Sequence, residues 1–491
     1  MSEKGRTLKT TIAVGGGQLI TIFSGIFKTK VAAILLGPSG VGLLGLLTVV
    51  IEMIKSIGSM GIPLSGVREI SVAESSNNAE NVDFTVTVFQ KWILLMALLG
   101  AFFCAVFSFP LSFFIFKNYQ YGWDIFFLSP AVFFGGLAAG NLAVLQGRRA
   151  IPAMVKAGLY SNILAAVLSI GLFYFLGINA IVPSLIVTAV VNFIFSYYYY
   201  RQWSPSYSKS ITYLNSFPHV KEMIKVGFFI VLVSVFDQFM NLILRSFITD
   251  QTSTEGLGLY TAATTIAGMY LTVVLTSLSS DYLPKLATLN TNVEINEAVN
   301  LQVNIIVLLA SPLIIGMVGF SDVVLNILYS KQFYGAIEIL QWQIIGDFFK
   351  IIAWPCGFIF LAKGFGKLYT GYSIGYSLIY LLIIILGWDY FGFKIIGFAF
   401  FISQLAALVF VYSFFYRKYG LTINTANTKL ISVMALLLTL SFIIYNYVEQ
   451  KLLSHLLNIF VVLVSAFIAY KNLAEDIKII QKIKKLFKSK S

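Results

Sequence analysis

Residues 154–200 read MVKAGLYSNILAAVLSIGLFYFL, then Gly177, then INAIVPSLIVTAVVNFIFSYYYY, with Lys156 as the only charged side chain. A helix of about 20 apolar residues crosses the roughly 30 Å hydrocarbon core of a bilayer. Each run is long enough to do so, and one glycine between them leaves space for a tight turn only. The pair is therefore read as two membrane helices back to back, which makes the fold class all-α integral membrane.

Working outward, apolar runs bounded by glycine, proline or charge give fourteen candidate helices: roughly 11–36, 40–62, 88–114, 123–146, 154–176, 178–200, 224–248, 257–280, 301–320, 337–362, 368–388, 395–416, 430–447 and 456–471. Composition agrees, since 58% of the 491 residues are hydrophobic and 11% charged, against about a quarter charged in soluble domains. The longest polar connections, 201–221 and 281–300, are too short to bury a core. The first apolar run follows Lys4, Arg6 and Lys9 but lacks a small-x-small cleavage pattern, so it is read as a retained helix. Cys104 and Cys356 are isolated in apolar runs and read as packing residues, with no metal site implied. Gly364-Phe365-Gly366-Lys367-Leu368 lacks the spacing and hydroxyl of a Walker A loop, which argues against nucleotide hydrolysis and leaves no cofactor expected.

Charge sets the orientation. With the N-terminus inside, the outside loops hold Lys117, Lys331, Lys394 and Lys451, and the helices hold Lys28, Lys30, Lys55, Arg245 and Lys350. The remaining 25 of the 34 basic residues fall inside, a strong positive-inside bias that puts both termini in the cytoplasm. The same bias accounts for the net charge of +13 without a nucleic-acid partner. The Lys-rich tail, with Leu473, Ile477, Ile480, Ile483 and Phe487 at helical spacing, reads as an interfacial helix on membrane lipids.

The chain repeats itself at an offset of about 216 residues. Gly40-Val41-Gly42-Leu43-Leu44 pairs with Gly256-Leu257-Gly258-Leu259-Tyr260, Leu145-Gln146-Gly147 with Ala362-Lys363-Gly364, and Phe175-Leu176-Gly177 with Tyr390-Phe391-Gly392. Such an offset holds six helices, so the two lobes share one orientation and are related by an axis along the membrane normal, with a cavity expected between them. The expected organisation is a six-helix lobe at 1–200, a cytoplasmic linker at 201–222, a second lobe at 223–420, two extra helices at 421–472 and a basic tail at 473–491.

Leu36-Gly37-Pro38-Ser39-Gly40-Val41-Gly42, Ser65-Gly66-Val67-Arg68 and Trp342-Gln343-Ile344-Ile345-Gly346-Asp347-Phe348-Phe349-Lys350 carry a resemblance to the Wzx polysaccharide flippases of the MOP superfamily, above all the O-antigen and lipid III flippases. It runs over about residues 8–416. The resemblance implies a transporter, not an enzyme, in the bacterial inner membrane. It would move an undecaprenyl-diphosphate-linked oligosaccharide from the cytoplasmic to the periplasmic leaflet, driven by a proton or sodium gradient. Polysaccharide polymerase and chain-length proteins are implied partners. Many members have twelve helices; the extra pair here is similar to the fourteen-helix lipid II flippase branch.

Charges at membrane depth cost about 2.5 to 3.5 kcal/mol on insertion scales and are functional candidates by default. Lys28 and Lys30, two residues apart, point in different directions, so one is expected to line the cavity; the resemblance places a basic residue at Lys30. Arg245, Asn241 and Asp237 follow at steps of four on one helix face, and the resemblance again places a basic residue at Arg245 and at Arg68. Anchoring at the membrane surface is the plainer reading of Arg68. Glu52 with Lys55, and Asp347 with Lys350, are spaced i,i+3 and can neutralise each other. A carboxylate that exchanges a lysine for a proton or sodium ion would also couple transport to a gradient, so Asp347, Asp237 and Glu52 are the ion-coupling candidates. Lys28, Lys30, Arg245, Asn241, Lys350 and Arg68 are the substrate-binding ones. Trp342 and Trp354 could stack on sugars, though packing is commoner. The rival readings are a lipid II flippase, a MATE-type exporter, whose cavity would favour acids, and a polyprenyl-sugar glycosyltransferase, for which no outside loop is long enough.

Overall fold

The computed structural model describes residues 3–75, 78–204, 212–289 and 291–488, and every regular element among them is a helix. Two compact units emerge from the packing: 1–259 with 328–332, and 260–327 with 333–491.

In the first unit, α1 (Glu3–Ser59) contains two spans, because Gly37 breaks the helix at φ 66° and ψ −173°. The second span continues as α2 (Ile62–Ser75) after a turn at Met60 and Gly61. The third is α3 (Ala79–Val106) with α4 (Ser108–Phe116), and the fourth is α5 (Gly122–Phe127) with α6 (Ser129–Gly147). The quoted pair is α7 (Ile151–Leu176) and α8 (Ile181–Arg201), and α9 (Tyr213–Gln251) follows. The second and third spans are thus longer than the expected 40–62 and 88–114. Pro63 bends the second without ending it, and Asn78 starts the third early by accepting a hydrogen bond from the Asn81 N–H (3.3 Å).

α10 (Thr254–Thr288) leads into the second unit. There α11 (Asn292–Gly319) opens on a capping box between Thr291 and Glu294, which satisfies two otherwise unpaired amides. α12 (Ser321–Leu328), α13 (Ile337–Ala362), α14 (Gly366–Phe391), α15 (Ile395–Tyr419), α16 (Thr425–Tyr447) and α17 (Lys451–Lys488) complete it. α13 packs between α11 and α15, and α16 and α17 pack on α11. Beyond residue 474 the tail side chains lie outside the described residues, and the expected amphipathic face at Ile477, Ile480, Ile483 and Phe487 falls there.

Among the described residues ten stretches are long and apolar enough to cross a membrane. Ser24–Ser59, Ile151–Arg201 and Gly366–Tyr419 each pass through a turn and hold two helices, and α10 adds another long helix, so the whole is compatible with fourteen spans.

The repeat is visible at its turns. α7 ends on Gly177 (φ 56°, ψ −133°) and α14 on Gly392 (φ 58°, ψ −142°), a backbone conformation open to glycine at little steric cost. The turn after α6 is closed by the Ala150 N–H on the Leu145 carbonyl (2.8 Å), and that after α13 by the Phe365 N–H on the Phe360 carbonyl (2.7 Å). Helix α9, the seventh span and the first of the expected second lobe, lies along α3 and α4: Trp92 Nε1 donates to Ser216 Oγ (3.0 Å), and Ser246 Oγ donates to the Phe114 carbonyl (3.0 Å). That packing carries the first unit to residue 259. Of the 201–222 connection, 205–211 lie outside the described residues.

Candidate functional site

Charged groups at membrane depth form three separate settings. In the first unit, Lys28 and Lys30 reach different partners. Lys28 Nζ donates to Thr188 Oγ1 on α8 (3.2 Å), which itself donates to the Ser184 carbonyl (2.7 Å) and lies 3.4 Å from Ser169 Oγ on α7. Lys30 Nζ donates to the carbonyl of Tyr329, a buried residue in the short segment that joins this unit. Both lysines are half-buried. A hydroxyl holds the Lys28 ammonium without cancelling its charge, so this cation remains able to attract an anion.

On α9, Arg245 is buried at 8% exposure, and the adjacent Ser246 fixes its turn to α4. Asn241 is exposed and turns its amide to the Asp237 carbonyl (2.9 Å), while Asp237 is half-buried. The helix is continuous through all three, so they share a face as the spacing requires. Arg68 is exposed on α2.

The second setting is also in the first unit. Lys55 Nζ and Glu52 Oε1 are 2.8 Å apart, with side chains 24% and 47% exposed. They stand on the wall of an open cavity of about 640 Å³ framed by α1, α2, α3 and α6.

The third setting is inside the second unit. Asp347 is 1% exposed; Tyr270 donates its hydroxyl to Asp347 Oδ2 (3.0 Å), and Lys350 Nζ is 3.8 Å from Oδ1 with its own side chain 39% exposed. Nearby, Gln404 Nε2 donates to the Tyr376 hydroxyl (2.9 Å). A buried carboxylate with one neutral donor and one mobile ammonium has two ways to balance its charge. It can hold the lysine, or take up a proton or small cation and release it.

The tryptophans considered for sugar stacking are packed instead. Trp342 has Phe398, Phe401 and Phe442 at 5.0–5.4 Å, and Trp354 has Phe358 at 4.6 Å. Cys104 and Cys356 are buried. Thr188 and Tyr270 were not singled out from sequence: each is an ordinary helix residue whose partner lies 160 or 77 positions away. The triad of Asp322 with Lys451 (3.5 Å) and His455 (3.3 Å) was missed for the same reason.

The protein family described as polysaccharide biosynthesis protein matches residues 31–338. The lipid III flippase of Escherichia coli (strain K12) is 23% identical over 373 residues, 74% of this chain and 86% of that protein, and the lipid III flippase of Shigella flexneri matches equally. Among solved structures, the lipid II flippase MurJ in its inward closed conformation has a TM-score of 0.66 at 16% identity, covering 95% of this chain and all of that one. An inward-facing multidrug resistance MATE family transporter of the MOP superfamily has a TM-score of 0.58 at 14% identity over 84% of this chain and 96% of that one.

Proposed function

The chain belongs to the polysaccharide biosynthesis protein family, and from that premise we propose that it is a flippase for an undecaprenyl-diphosphate-linked oligosaccharide. It is a multi-pass membrane transporter. The cargo crosses from the cytoplasmic to the periplasmic leaflet of a bacterial inner membrane, with both termini of the protein in the cytoplasm. An O-antigen-type repeat unit is the cargo class that the motifs favour. Hand-over to a polymerase and chain-length machinery follows from that role.

One observation carries the reading: the first span brings two lysines, Lys28 and Lys30, to membrane depth, and Lys28 is held by the Thr188 hydroxyl, which does not cancel its charge. Positive charge there suits a diphosphate. A cationic drug would be repelled by it, although MATE transporters share the fold. Transport binds the diphosphate to these lysines and to Arg245, and exposes them alternately to the two leaflets. Asp347, Lys350 and Tyr270 supply the coupling: a proton or sodium ion at Asp347 frees Lys350, and its loss re-forms the pair. Asp237 is the next candidate.

The test is made in cells lacking the gene. Lys30→Glu, present in the membrane at the level of the unaltered protein, is expected to abolish surface polysaccharide and leave lipid-linked oligosaccharide in the inner leaflet, whereas Lys30→Arg retains most of it. Full assembly with Lys30→Glu would refute the cationic account.

A further inference from the structure

The second span is broken in the middle of the membrane. Pro63 has no N–H for the carbonyl of Ser59, its partner four residues back, and its ring would collide with that carbonyl in a continuous helix. The chain answers with two left-handed residues, Met60 (φ 46°) and Gly61 (φ 75°). Depth follows from the neighbours. The fourth span runs from Gly122 to Gly147, and near its centre a Cβ on Gly135 would stand 3.4 Å from Lys55 Cδ, while one on Gly58 would stand 3.1 Å from the Gly100 Cα. The cavity beside Glu52 and Lys55 therefore opens at mid-depth.

Its two walls differ in chemistry. The α1 wall presents the Glu52 carboxylate, the Lys55 ammonium and the hydroxyls of Ser56 and Ser59; the opposite wall, from α3 and α6, is apolar, with Met96, Val132 and Ala139. Glu52 is 47% exposed. A carboxylate left open to hydrocarbon at this depth is strongly disfavoured, so the mouth is wet. The cavity's enclosed part is about 200 Å³, within about 640 Å³ that includes the open mouth, so it has room for one small group and not for a drug-sized molecule.

We infer that this cavity is a subsite for one sugar of the cargo, and that it selects a sugar bearing a methyl group, carried by an acetamido or a 6-deoxy substituent. The inference rests on the flippase reading. A pyranose meets the α1 wall with hydroxyls, which find a donor in Lys55 and acceptors in Glu52 and the serine hydroxyls, Ser59 having given its own proton to the Ser56 carbonyl (3.3 Å). The opposite wall offers no partner to a hydroxyl but desolvates a methyl. A hydroxyl turned that way is stranded, and one such group in an apolar pocket changes selection by about tenfold or more.

The experiment uses the full chain in proteoliposomes and three probes: undecaprenyl diphosphate carrying one glucose, one N-acetylglucosamine or one 6-deoxyglucose. The initial rate of translocation is measured for each. The unaltered protein is expected to move at least one methyl-bearing probe about tenfold faster than the glucose probe, and which one it is identifies the substituent. Ala139→Leu, which fills the apolar wall, should bring the ratio close to one. The nearly isosteric Ala139→Ser, which keeps the packing and adds a hydroxyl, should move it toward glucose. Equal rates for all three probes, or a ratio unchanged in both variants, overturns the subsite while the flippase reading stands. Failure to move any probe overturns both.

Discussion

Two acid and lysine pairs share the same i,i+3 spacing, and burial separates them. Glu52 is open and Lys55 can trade it for water; Asp347 is closed off at 1% exposure and relies on Lys350 and Tyr270. A buried ion pair with a purely structural role tolerates replacement of both partners by neutral residues of similar size, whereas loss of one partner strands the other. Asp347→Asn with Lys350→Gln is therefore expected to restore protein abundance relative to Asp347→Asn alone. Gradient-driven transport should stay defective in the double variant while downhill exchange persists. Quantitative membrane immunodetection and vesicle transport check the two halves. Transport at the unaltered rate under a gradient in the double variant would make Asp347 a structural partner. The spacing of this pair was legible in the sequence. Its closure by Tyr270, on another helix, was not.

At the scale of elements, the last two helices are joined to α11 by polar contacts along its length. Near one end Asn427 Nδ2 donates to the Asn300 carbonyl (2.7 Å), and Asn304 Nδ2 donates to Asn427 Oδ1 (3.0 Å). In the middle Ser441 Oγ donates to the Ile315 carbonyl (3.2 Å) and lies 2.7 Å from Asn458 Oδ1 on α17, and just past the other end Asp322 on α12 meets Lys451 and His455. Lipid gives no hydrophobic drive for helix association, so such contacts and close packing do the joining. Asn427→Ala is expected to cost about 1 kcal/mol, read as a lowered thermal midpoint in detergent. A midpoint unchanged or raised would mean that packing alone holds the pair. Helix existence was legible because apolar length is a local property. The breaks followed less directly: Pro63 reads as a helix end, yet the span resumes beyond it, because α2 buries Ile62 and Ile70 against α3 and α6.

For the whole molecule, the repeat offered the strongest long-range signal, and its turns carry it: Gly177 and Gly392 adopt the same rare conformation 215 positions apart. Side-chain partners across helices carry no such periodic mark, which is why the lysines could be named as candidates and Thr188 and Tyr329 could not. The family match and the MurJ-like fold leave transport itself as the claim to measure. The direct assay reconstitutes the purified chain with an undecaprenyl-diphosphate-linked oligosaccharide and follows its appearance in the opposite leaflet, with and without an imposed proton or sodium gradient. The account predicts transfer that requires the protein and is accelerated by one of the two gradients. Transfer no faster than in protein-free vesicles, under either gradient, would contradict it.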